Sequence, residues 1–149
     1  MHRRNMLRGA VSAIGAIFAA SRASAATEGT AQAGLKAVYH LSDLEKVGFV
    51  IGNIQNHFDG VGGPDNVTIA LVVHGPALKA FHASSANPDL GQHVARLSKA
   101  GLQLAACGHT MKAQEIALKD LLPGFTVAER GGVVLIAELQ AQGYVYLRP

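Results

Sequence analysis

The sequence predicts an α/β domain built on a mostly parallel sheet of about five strands. Three observations lead there. Short apolar, β-rich runs alternate with segments whose apolar residues recur at helical spacing, the alternation that βαβ units produce. The run "VTIALVV" (67–73) is apolar nearly throughout, as a strand covered on both faces must be. Turn and cap residues stand at the joints, in "GVGGPDN", "HGPAL", "SSANP" and "PG".

Residues 1–25 read as an address rather than as fold. Arg3, Arg4 and Arg8 precede the short apolar stretch "AVSAIGAIFAA", and "ASA" (23–25) offers small residues for cleavage. Arg3-Arg4 followed by Met6-Leu7 resembles a twin-arginine signal, with His2 where that pattern usually has Ser or Thr. The apolar stretch falls far short of the ~20 residues that span a bilayer. The expectation is therefore export to the periplasm, cleavage after Ala25 and no membrane attachment afterwards. Four of the 13 basic residues lie in this segment and none of the 10 acidic ones, so the mature chain is nearly neutral. No Lys/Arg block remains to follow a phosphate backbone, which argues against nucleic acid as a partner.

Residues 26–34, "ATEGTAQAG", read as a flexible tether, and 35–149 as one domain. "LKAVYHL" (35–41) is the first strand, ending at His40. Ser42 with Glu45 predicts a capping box for a helix whose apolar face is Leu44, Val47, Ile51, Ile54 and Phe58, stopped by Gly60. After the second strand, 67–73, Pro76 suits a first helical turn, and a helical segment runs through Lys79 and Phe81. From Asp89, the residues Leu90, Val94 and Leu97 with Gly101 behind them predict another helix. "LQLAA" (102–106) is the third strand and leads into Cys107. Residues 110–122 read as a helix capped by Thr110; "TVAE" (126–129) is the fourth strand. "GGVVLIAELQAQG" is a helix, and "YVYL" (144–147) the fifth strand.

In open parallel sheets, ligands bind beyond the carboxyl ends of the strands. His40, His74 and Cys107 end the first three strands, and His109 and Thr110 follow just after. The residues leave three roles open for the single cysteine: working thiol, metal ligand or packing residue. A following helix N-terminus and nearby imidazoles lower a thiol pKa, and Gly108 would let a substrate approach the backbone. A free cysteine is also among the most often buried residues. Cys107, His40, His74 and His109 offer a Cys/His donor set without the tight local spacing of a zinc site. His57 with Asn53 and Asn56 reads as a solvated helix flank or subunit contact, and His82 and His93 have no evident partners.

Other chemistries fail on inspection. There is no C-x-x-C and no G-x-S-x-G elbow. "GVGGPDN" lies between helix and strand, the wrong order for a phosphate cradle. Trp is absent and aromatics are few, which disfavours base stacking. No cofactor is expected.

The run "VVHGPAL", the "CGHT" turn and the ending "GVVLIAELQAQGYVYLRP", with "KAVYHL" and "NIQNH" before them, together resemble the DsrE/DsrF-like family. The resemblance implies a three-layer α/β/α domain and a homo-oligomer, trimeric or hexameric. It also implies sulfur chemistry, with a cysteine at the end of a central strand carrying sulfur as a persulfide, a role that falls on Cys107. His74 aligns with a strand end near that site. The leading expectation is a periplasmic sulfur-handling protein: Cys107 accepts sulfane sulfur from a small sulfur-containing anion or a partner carrier. His74 acts beside it, and His40, Gly108, His109 and Thr110 bind the anion. The alternative is a non-catalytic oligomer that binds a small ligand or metal and whose cysteine is inert.

Overall fold

The computed structural model describes residues 34–149; the expected signal segment and all but the end of the tether lie outside the described residues. Five strands form one sheet: β1 (Leu35–Leu41), β2 (Val67–Val73), β3 (Gln103–Cys107), β4 (Phe125–Ala128) and β5 (Val145–Leu147). The order is β4-β3-β2-β1-β5, and every neighbouring pair is parallel. The helices are α1 (Val47–Gly60), α2 (Pro88–Lys99), α3 (Gly108–Ala113) and α4 (Gly132–Ala141).

Side-chain alternation divides the sheet into two unlike faces. Tyr39, Leu41, Ile69, Leu71, Val73 and Leu104 point into the larger core, with α1 and α2 supplying Val50, Ile51, Ile54, Phe58, Val94 and Leu97. The opposite face presents Val38, Ala70, Val72 and Ala105, which pack against Ile136 and Leu139 of α4. Two alanines on that face leave room for α4 to come close. A Cβ on Gly132, at the start of α4, would lie 3.2 Å from Val72 Cγ1. Each large side chain buried in these cores contributes about 1.5–3 kcal/mol.

Three expected helices are altered, each for a local reason. The Ser42/Glu45 capping box does not form. Ser42 is drawn into tertiary bonds instead: its carbonyl accepts the Ala77 N–H at 3.0 Å and its hydroxyl accepts from Arg148 at 3.3 Å. A 3-10 turn, Leu44–Lys46, fills the gap, α1 starts at Val47, and Leu44 is left exposed. Gly75–Phe81 is 3-10 rather than α-helical, with Pro76 in its first turn. The helix expected over 110–122 is only the six residues of α3, followed by Glu115 at φ 55° and a second short turn, Leu118–Asp120. By contrast, α2 has a conventional start. Asn87 Oδ1 accepts the N–H groups of Asp89 and Leu90 at 2.8 and 3.3 Å.

Candidate functional site at the carboxyl edge of the sheet

Because β3, β2 and β1 are adjacent, Cys107, His74 and His40 come to one edge. The registers extend the row. Val38 pairs with Tyr146 and His40 with Val72, so Tyr146 on β5 shares the α4 face with both histidines and with Cys107. The row therefore runs Cys107, His74, His40, Tyr146 across four neighbouring strands.

At one end of the row, Cys107 is 7% exposed and begins α3. Burial is the largest single influence on its thiol and pushes the pKa up. Four donors outweigh it and hold the pKa below the ordinary value: the N–H of Gly132, the N–H and hydroxyl of Thr110, and the N–H of His109. No imidazole is among them. Thr110 is not a helix cap. Its oxygen accepts the Gly75 N–H at 2.9 Å, and its hydroxyl is among the groups that lower the Cys107 pKa. Gln114 fastens the same loop from below, donating to Gly75 O at 2.9 Å while its Oε1 meets His82 Nε2 at 3.0 Å.

Glycines set the packing around the cysteine. A Cβ on Gly132 would fall 3.3 Å from Cys107 Cβ and 3.6 Å from His74 Cβ, so the bare α-carbon is what lets the start of α4 close over both strand ends. Gly108 does not open toward a substrate as expected. Its α-carbon faces inward, where an added Cβ would meet Ala128 O at 3.1 Å and Glu129 O at 3.4 Å. It serves the packing of α3 on β4. His109 contributes its backbone N–H to the sulfur, while its exposed ring lies over Gly131.

At the other end, His40 Nε2 and His74 Nε2 are in direct hydrogen-bond contact, the rings stacked with centroids 4.6 Å apart. His40 Nδ1 meets Tyr146 Oη at 2.6 Å. Both imidazole pKa values are lowered, first by burial and then by neighbouring charge: Arg148 lowers both, His74 also lowers His40, and Asp43 opposes the shift in each. Both shifts favour the neutral form of the rings. Among the described residues, no group of three or more Cys, His, Asp or Glu is gathered as a metal site. Elsewhere, His57 is no mere flank, since its Nδ1 meets the hydroxyl of the buried Tyr39 at 3.0 Å.

Tyr146 and Gly132 are the site residues that sequence reasoning missed. Tyr146 lies in the quoted ending "YVYLRP", and only knowledge that β5 pairs with β1 brings it beside His40. The Gly131-Gly132 pair looked like an ordinary helix start.

With this geometry established, comparison with known proteins places the chain. The model of the DsrE/DsrF-like family matches residues 17–149. The chain belongs to that family. DsrE-like proteins are associated with sulfur metabolism in general. Among solved structures, this DsrE-like chain is similar to MTH1491 from Methanobacterium thermoautotrophicum, a protein of unknown function. The two share 26% identity over 77% of this chain and 99% of that one, with a TM-score of 0.68. It is also similar to YchN from E. coli, at 12% identity over 77% of this chain and 100% of that one, with a TM-score of 0.55, a likeness of fold alone. No curated protein matches the chain.

Proposed function

We propose that this DsrE-like protein carries sulfane sulfur on Cys107. The observation that carries the reading is the place of Cys107 at the carboxyl end of a central strand, where polar groups of Gly132, Thr110 and His109 hold its thiol pKa down against burial. A packing cysteine needs no such groups, whereas a thiolate, and the anionic persulfide formed from it, is stabilised by them. In the transfer, the Cys107 thiolate attacks the sulfane sulfur of a persulfide or polysulfide donor. The new S–S bond forms as the donor's S–S bond breaks, and the departing thiolate or shortened polysulfide leaves with the electron pair. No external oxidant is needed.

The protein works in the periplasm as a homo-oligomer, trimeric or hexameric. The signal-like segment supports the first statement. The exposed Val133 and Val134, adjacent on α4, support the second. The low exposure of Cys107 favours a second reading, an inert thiol within a binding module. Intact-mass spectrometry of the mature protein after polysulfide treatment separates the two. Carriage predicts a reducible gain of sulfur that Cys107→Ser loses while its fold and assembly are kept. A gain that persists in that variant rules carriage out.

A further inference from the structure

Tyr146, His40 and His74 form a continuous row of hydrogen bonds that begins at a partly exposed phenol and ends at His74, on the strand end next to that of Cys107. We propose that this row is a proton relay for sulfur transfer, with Tyr146 as its entry from solvent and His74 as the acid that protonates the departing sulfur. The inference rests on the sulfur-carrying reading above and adds to it a residue and a path.

The proton count closes with both imidazoles neutral before and after, and Tyr146 passing through its phenolate. In one tautomeric arrangement the Tyr146 hydroxyl donates to His40 Nδ1, His40 Nε2–H donates to His74 Nε2, and His74 Nδ1 carries a proton. When the donor's S–S bond breaks, the leaving thiolate takes the His74 Nδ1 proton. His74 Nε2 then takes a proton from His40 Nε2, His40 Nδ1 takes one from Tyr146, and water reprotonates the phenol. One proton enters at the surface and one leaves on the thiol product, matching the proton that Cys107 gave up on ionising. The net reaction, thiol plus persulfide to persulfide plus thiol, needs no redox partner.

The fold supports a conducting row rather than a chance contact. The three residues stand on neighbouring strands of one sheet face, in registers fixed by the ladders β5-β1 and β1-β2. The other charged groups acting on the pair are Asp43 and Arg148, which lie 3.8 Å apart and oppose one another. A pair of neutral rings passes a proton without stopping at a stable imidazolium.

Tyr146 is a positioning and recharging residue, so its test needs a readout that a structural role does not move. Single-turnover loading of the protein by a low-molecular-weight persulfide, followed by intact mass, is compared for the wild type, Tyr146→Phe and His40→Gln, with and without added imidazole. The relay predicts that Tyr146→Phe slows loading on the order of tenfold and that imidazole in the buffer restores the rate. Iodoacetamide should meanwhile alkylate Cys107 at the wild-type rate. His40→Gln should be slowed at least as much. Wild-type loading by Tyr146→Phe overturns the relay and leaves sulfur carriage standing. So does slowed loading that imidazole fails to rescue while alkylation slows in step. A wild-type protein that takes up no sulfur removes both.

Discussion

At Cys107, burial and hydrogen bonding pull the thiol in opposite directions, and hydrogen bonding wins. Thr110 tests that balance because one hydroxyl accepts from Gly75 and also helps to lower the thiol pKa. Thr110→Val should move the pH profile of Cys107 alkylation upward, toward an ordinary thiol, and Thr110→Ser should leave it nearly in place. An unmoved profile in the valine variant would mean that the backbone N–H groups suffice. Gly132 is the steric counterpart. In Gly132→Ala the new methyl would press on Val72 and on the cysteine itself at 3.2 and 3.3 Å. Overpacking of this kind costs about 1–3 kcal/mol, to be read as a lowered denaturation midpoint together with slower alkylation.

At the scale of elements, β2 and the apolar face of α1 were legible because burial writes them into the sequence as period and hydrophobicity. Residues 67–73 form the strand expected of them, and Val47, Ile51, Ile54 and Phe58 are the buried stripe. Where side chains serve distant partners, local rules misled. Ser42 bonds Arg148 rather than a helix end, and Thr110 and Gln114 hold Gly75 rather than extend α3. His40, His74 and Cys107 were visible as strand ends, but Tyr146 was not, because strand order is absent from any local pattern. Asn87 is a cap whose effect is purely local. Asn87→Ala should cost about 1 kcal/mol in chemical denaturation without changing the alkylation rate of Cys107.

For the whole molecule, the sheet does more than support the site: it aligns four side chains from four strands along one edge. That alignment has a pH consequence. Burial, with Arg148, lowers both imidazole pKa values in the folded state. The stability tied to this is fully present above the ordinary imidazole value of about 6.5. It is lost as pH falls from there through the lowered folded values, since the unfolded chain then binds protons the fold resists. The denaturation midpoint should therefore drop between about pH 7 and about pH 5, and less in His40→Gln than in the wild type. Equal drops would mean that other groups set the acid limit.

The central claim is that Cys107 is a sulfur carrier, and intact mass tests it most directly. Mature protein is treated with polysulfide, freed of small molecules and weighed with and without reductant, alongside Cys107→Ser. The account predicts a gain of one or more sulfur atoms that reductant removes and the variant never shows. No gain, with a thiol that iodoacetamide reaches only after unfolding, would contradict it and leave Cys107 as a packing residue.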